Sequence, residues 1–163
     1  MAEPPRLYGL KALVTGAAAG IGEAVVRTLV KHGAEVFAVD GANSGIEQQF
    51  RSVRGVTRHV ASLVDPARMP AVVEAAHDAL GGIDILVADF PQRPEKPVAE
   101  IDAAFDRLLE SRAALIMSLC RSALPHLRQS PAGRIVSVGM LRTLFAAAAE
   151  GAYARAEADL AAL

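Results

Sequence analysis

The amino-acid sequence predicts an α/β fold: a doubly wound, Rossmann-like parallel sheet of about five strands with helices on both faces. Three observations carry this. The apolar run Leu10 to Val14 leads into the glycine-rich stretch Thr15-Gly16-Ala17-Ala18-Ala19-Gly20-Ile21-Gly22, which opens a helical pattern. Short apolar runs recur at 35–39, 56–61, 83–88 and 133–138, each separated from the next by a helical or polar segment. The second of these runs closes on an acid, Asp40. Alternation of this kind gives parallel pairing, with ligands held at the carboxyl ends of the strands.

The elements follow in order. After the glycines, Ile21, Ala24, Val25, Thr28 and Leu29 keep the i, i+3, i+4, i+7, i+8 rhythm of one buried helix face, and Gly33 closes the turn. Glu35 to Val39 is nearly all apolar, as a buried parallel strand should be. Residues 41–52 read as a short polar helix or loop, before the third strand at 56–61. Asp65-Pro66 starts a helix, with the acid as N-cap and proline at the first helical position. Its stripe is Met69, Val72, Val73, Ala76 and Leu80, and Gly81-Gly82 ends it ahead of the fourth strand. A long helix is predicted over 101–127, with Leu108, Ile116, Leu119, Cys120, Ala123 and Leu127 on its apolar stripe. Arg112 is a charge within that stripe, and Pro125 predicts a bend near the end. After the fifth strand and the alanine run Ala146 to Ala149, a last helix begins near Ala152.

At 163 residues the chain is expected to form a single domain, 1–163. Hydrophobic residues make up 52% but aromatics only 4%, so the core is expected to be built from Ala, Val, Leu and Ile, which suits close helix–sheet packing. A net charge of −1 with both signs interspersed argues against nucleic acid and anionic membrane surfaces as partners. No run reaches the length of a membrane span, and Met1 to Pro5 lacks the apolar core of a signal peptide, so a cytoplasmic protein is expected. Cys120 is the one cysteine and reads as a small core residue. The histidines at 32, 59, 77 and 126 are scattered without ligand spacing, so no metal is expected.

A strand, a glycine-rich turn and a helix N-terminus together form an anion site, because the free N–H groups and the helix dipole converge there. Glycine allows the backbone to approach a pyrophosphate. Asp40 stands where such folds read the adenosine ribose, and its carboxylate accepts from the 2′- and 3′-hydroxyls while repelling a 2′-phosphate. NAD is therefore expected over NADP. The competing reading of Asp40 is an ordinary turn acid.

The spacing T-G-x-x-x-G-x-G resembles the glycine motif of the short-chain dehydrogenase/reductase family. Gly82-Ile83-Asp84-Ile85-Leu86-Val87, Ser122-Ala123-Leu124-Pro125-His126-Leu127 and Gly133-Arg134-Ile135-Val136 are similar to family segments in the same order. The resemblance covers nearly the whole chain. It implies hydride transfer between NAD or NADP and a carbonyl or alcohol, with cofactor contacts at Thr15, Gly16, Ala19, Gly20, Ile21, Gly22, Asp40, Ser62, Leu63 and Ala88. It also implies that the chain stops short of the family's C-terminal strands and helices. Relatives of this kind pair through their fourth and fifth helices, which predicts self-association through 101–127 and 152–163.

The catalytic pattern departs from the family's. Tyr153 matches the catalytic tyrosine, but the lysine four residues on is Glu157, the serine is Met140 and the asparagine of the long helix is Arg112. The family's N-N-A-G reads Ala88-Asp89-Phe90-Pro91. A glutamate beside a tyrosine raises the phenol pKa where the lysine would lower it, and methionine donates no hydrogen bond. The resemblance thus implies an NAD-dependent oxidoreductase whose catalysis is impaired or lost. The alternatives are a non-catalytic dinucleotide-binding or subunit-interaction protein, a pseudoenzyme, or a truncated remnant. Arg112 in an apolar stripe calls for a carboxylate, with Glu157 as the expected partner and Asp89 as the alternative; the competing reading has Arg112 reaching out to solvent and Glu157 on an exposed helix face.

Overall fold

The computed structural model describes residues 6–90 and 103–139, with side chains in the second stretch from residue 112 onward. Five parallel strands form one sheet: β1 (Lys11–Thr15), β2 (Glu35–Asp40), β3 (Val56–Val60), β4 (Ile85–Ala88) and β5 (Arg134–Ser137), in the order β3-β2-β1-β4-β5. The helices are α1 (Gly20–Lys31), α2 (Ile46–Gln49), α3 (Met69–Leu80) and α4 (Ala103–Gln129). The order reverses direction between β1 and β4, which places the ligand crevice of an open parallel sheet there. The fold class expected from the sequence is the one observed.

Alternate residues of β1, β2 and β4 feed two separate cores. Leu13, Phe37, Val39 and Leu86 face α3 and α4, meeting Met69, Val73, Ala76, Leu115, Leu119 and Ala123. Ala12, Val14, Val36, Ala38, Ile85 and Val87 face the other way, toward Val26, Ile46 and Phe50. The second face carries smaller side chains on β1 and β2, so α1 lies close to the sheet beside the glycine turn.

The register of β1 explains its central place. It pairs with β2 from Lys11↔Glu35 to Thr15↔Val39 and with β4 from Ala12↔Ile85 to Val14↔Val87. At the amino ends a knot around Asp84 ties three strands together. Its Oδ2 accepts from Lys11 N–H at 2.7 Å, its Oδ1 from Ser130 Oγ at 2.5 Å, and its carbonyl from Arg134 N–H at 2.9 Å. The edge strand β5 is exposed at every residue, with Ile135 at 44% and Val136 at 47%.

Several expectations are corrected in detail. Ile21, Ala24 and Thr28 do not belong to the buried face of α1; they are exposed, and the face runs through Gly22 and Val26 with Val25, Leu29 and Val30 packed beside it. The period was right and the phase was shifted, because the helix is set down on Gly22. A Cβ there would run into the Gly16 carbonyl, so the glycine is what lets the helix approach the turn. The helix after β3 starts as a 3-10 turn, Pro66–Arg68, capped by Asp65 accepting from Ala67 N–H at 3.0 Å, before α3 begins. α4 continues through Pro125 to Gln129. Cys120 is half-buried and packs on the edge of the α3–α4 core rather than inside it, and burial pushes its thiol pKa up.

No helix among the described residues is long and apolar enough to cross a membrane.

Candidate functional site

The site is assembled at the carboxyl ends of β1, β2 and β4. β1 delivers the chain into the turn at Thr15, and the turn uses two left-handed glycines, Gly16 at φ 62° and Gly20 at φ 58°. Its inner half, Gly16 to Ala18, is buried, while Ala19, Gly20 and Ile21 face outward, with Ile21 at 60% exposure. The N-cap of α1 is Ala19, which supplies no side-chain oxygen to the first turn. Of the first N–H groups of α1, that of Gly22 meets the Asp89 side chain, and Gly20 and Ile21 lie in the outward half of the turn. This is the strand–turn–helix arrangement that the glycine spacing implied.

Asp40 closes β2 beside that turn. Its Oδ2 accepts from Ala18 N–H at 2.8 Å and its Oδ1 from Gly41 N–H at 2.7 Å. The carboxylate thus ties the second strand to the glycine turn, and each oxygen keeps a further acceptor position. The turn-acid reading and the ribose reading are not exclusive, since this acid has a structural task and a free edge. Ser62 is half-buried and Leu63 buried just beyond β3, where Ala61 N–H donates to the Asp40 carbonyl at 3.0 Å.

Thr15 turns inward. Its hydroxyl donates to the Asp89 carbonyl at 2.8 Å and accepts from Asp89 N–H at 3.0 Å, so it clamps the loop after β4 to the end of β1. Ala88 is fully buried in the sheet, and its carbonyl accepts from Val138 N–H at 3.0 Å.

The acid side chain of Asp89 is the part of the site that sequence reasoning reached only as a possible partner for Arg112. It is 6% exposed. Burial raises its pKa most strongly, the Arg112 guanidinium and the Gly22 backbone N–H pull it back down, and Asp40 pushes it up again. Its position after β4, opposite the glycine turn across the switch point, was the available signal. Arg112, 7% exposed, sits on the apolar face of α4 as the stripe implied and donates from Nη2 to the Val138 carbonyl at 3.1 Å. Of the two carboxylates considered for it, Asp89 is the one that the described residues place within electrostatic reach. Tyr153, Met140, Glu157 and Pro91 lie outside the described residues, as does the final helix proposed for self-association.

A second cleft of about 430 Å³ opens at the opposite, amino end of the strands, between the Asp84 knot and the α3–α4 ends. There two of the four histidines that looked scattered in sequence come together: the rings of His77 and His126 lie 4.4 Å apart, and His126 Nε2 is 3.3 Å from Glu74 Oε1. Among the described residues no group of three His, Cys, Asp or Glu is placed to hold a metal ion.

An open parallel sheet with a glycine turn after its central strand and an acid at the end of the neighbouring strand defines a doubly wound, Rossmann-like α/β protein. Residues 10–162 match the family model for short chain dehydrogenases. The chain belongs to the short-chain dehydrogenase/reductase family. It is 29% identical over 156 residues to the 3-oxoacyl-acyl-carrier-protein reductase FabG of Vibrio cholerae, covering 94% of this chain and 64% of that one. A short chain dehydrogenase from Burkholderia cenocepacia, solved in complex with NADP, superimposes with a TM-score of 0.81 at 27% identity, covering 95% of this chain and 65% of that one. The L-sorbose reductase of Gluconobacter frateurii, solved with NADPH and L-sorbose, superimposes with a TM-score of 0.85 at 22% identity, over 97% of this chain and 62% of that one. The chain thus spans somewhat under two thirds of the length of these relatives.

Proposed function

We propose that this chain is the NAD-binding unit of a short-chain dehydrogenase/reductase, a cytoplasmic oxidoreductase of carbonyl or alcohol substrates whose chemical step is impaired by its own sequence. The observation that carries the cofactor reading is the Asp40 carboxylate, bonded to Ala18 N–H of the glycine turn and standing at the end of β2. The diphosphate would lie against Gly16, Ala19, Gly20, Ile21 and Gly22, with the ribose hydroxyls on Asp40 and the adenine toward Ser62 and Leu63. Ala88 would line the strand end beneath. Thr15 supports the site by holding Asp89 in place. The relatives solved with NADP and NADPH show that this fold also takes the phosphorylated cofactor. The preference for NAD rests on repulsion between Asp40 and a 2′-phosphate. Calorimetric titration tests it: NAD should bind more tightly than NADP, Asp40→Ala should narrow the gap, and equal affinities in the unmodified protein would refute it.

Impaired catalysis follows from the residues at the tetrad positions. Tyr153 has Glu157 where a lysine would stabilise its phenolate, and Met140 supplies no hydroxyl to a substrate oxygen. Each missing preorganised donor costs roughly 3–4 kcal/mol of transition-state stabilisation. Turnover of ketones and alcohols should be far below that of a complete family member, and Glu157→Lys alone should not restore it. Measurable recovery from that one change would show that the proton relay is otherwise intact. Self-association through 101–127 and 152–163 belongs to the same reading, and light scattering that gives a monomer at high concentration would exclude it.

A further inference from the structure

Asp89 is an acid built into a place where the fold collects positive potential for an anion from outside. Its backbone is held at both N–H and carbonyl by the Thr15 hydroxyl, so the residue is fixed at the end of β4. Charged or dipolar groups from three elements face its side chain: Arg112 from α4, the Gly22 N–H from the first turn of α1, and Asp40 from the end of β2. Gly22 N–H is one of the orphan donors whose dipole would favour a diphosphate. A carboxylate already turned toward that donor offsets part of the helix's positive end and repels a second anion arriving on the same turn. Arg112 is itself anchored to the Val138 carbonyl.

We propose that Asp89 is an internal counter-charge that sets the affinity of the dinucleotide site: ionised, it weakens binding of the diphosphate, and neutral, it strengthens it, with Arg112 limiting the repulsion. The proposal rests on the dinucleotide reading given above. Burial and Asp40 raise the pKa of Asp89 despite Arg112 and Gly22, so the charge is lost at a higher pH than in an ordinary aspartate. The site therefore tightens as pH falls toward that value.

The test titrates the full chain with NAD and with adenosine, which keeps the ribose and base but has no diphosphate, at low salt where charge effects are least screened. Asp89→Asn preserves shape and an acceptor for Gly22 N–H while removing the charge. It should lower the NAD dissociation constant about five- to tenfold near neutral pH and leave adenosine unchanged. Arg112→Gln should act in the opposite direction on NAD. In the unmodified protein the NAD-to-adenosine affinity ratio should rise as pH falls, a dependence that Asp89→Asn abolishes. An unchanged or weaker NAD affinity in the folded Asp89→Asn protein, or equal effects on NAD and adenosine, would overturn the proposal. Should that variant fail to fold, a flat NAD-to-adenosine ratio across pH in the unmodified protein overturns it equally. Absence of NAD binding by the folded, unmodified protein would instead refute the dinucleotide reading itself.

Discussion

Gly22→Ala tests the geometry of the glycine turn more sharply than any other single change. The added methyl would meet the Gly16 carbonyl, 2.7 Å from its carbon, and the Ala17 Cα at 3.2 Å. Unstrained carbon contacts lie near ~3.5–4.0 Å, so α1 must retreat by about 1 Å. All the atoms in the way are buried backbone, and Ala17 is also tied through its N–H to the Val39 carbonyl at 3.3 Å, so none of them can swing aside. Overpacking of this kind costs about 3 kcal/mol at the upper end of its range. Alanine's better helix propensity offsets about 1 kcal/mol of that. The net loss of about 2 kcal/mol corresponds to a melting temperature lower by roughly 4–8 °C in a chain of this size. The same retreat pulls the first N–H groups of α1 away from the turn, so NAD affinity should fall at least tenfold. Gly41→Ala is the control, because no atom lies within 4 Å of its added methyl and its φ is not left-handed. It should melt within about 1 °C of the parent or slightly above it. Thermal melts by circular dichroism and NAD titration read both effects. A Gly22→Ala protein with parental melting and parental affinity would show that α1 does not rest on Gly16 as described.

Other outcomes follow from single observations. Asp84→Ala removes the acceptor of Lys11 N–H and of the Ser130 hydroxyl, and should cost about 2–4 kcal/mol in urea denaturation, with Asp84→Asn milder. Because the folded-state pKa of Asp89 is raised above 3.8, its ionisation opposes folding above that folded value and not below 3.8. Asp89→Asn should therefore melt higher than the parent near neutral pH, with the difference closing as pH falls through that window, as melts across pH would show. The Cys120 thiol, raised above 9.0 by burial, should react with iodoacetamide more slowly in the native than in the urea-unfolded chain, and faster as pH rises.

What the sequence made legible was whatever is written in local pattern. Strand runs, the glycine turn, the Asp65 cap and the stripe on α3 all emerged where expected, because each depends on residues within a few positions of one another. The phase of α1 was not legible, because apolarity alone suggested Ile21, Ala24 and Thr28. The buried face is decided instead by a glycine whose only signal is the absence of a side chain, and its partner carbonyl belongs to the preceding turn. The His77–His126 contact was hidden for a related reason, since it joins positions on two helices that only the sheet order brings together. The Asp84 knot was hidden likewise: the aspartate looked like part of a family strand segment, and its partners lie 73 residues before it and 46 after it.

The two halves of the expected activity differ in what builds them, and this bears on how they diverge. The proposed anion site is made mostly of backbone: N–H groups of a turn and a helix start, two left-handed glycines and one close approach at Gly22. Most substitutions elsewhere leave such a site in place, provided the glycines remain and the sheet holds its register. Catalysis in the family depends instead on side chains, and the proposed impairment rests on Glu157 and Met140 standing where the resemblance places a lysine and a serine. Arg112 and Asp89 belong to both halves. Each is a charged residue buried in a sheet protein with few polar groups inside, where an isolated charge would be severely destabilising. Arg112 favours the ionised form of Asp89, so the acid can remain beside the glycine turn, and loss of Arg112 alone leaves that buried acid without its compensating charge. A double-mutant cycle of Asp89→Asn and Arg112→Gln should therefore show coupling of about 1–3 kcal/mol in folding stability. Strict additivity of the two single changes would mean that the two charges do not act on each other.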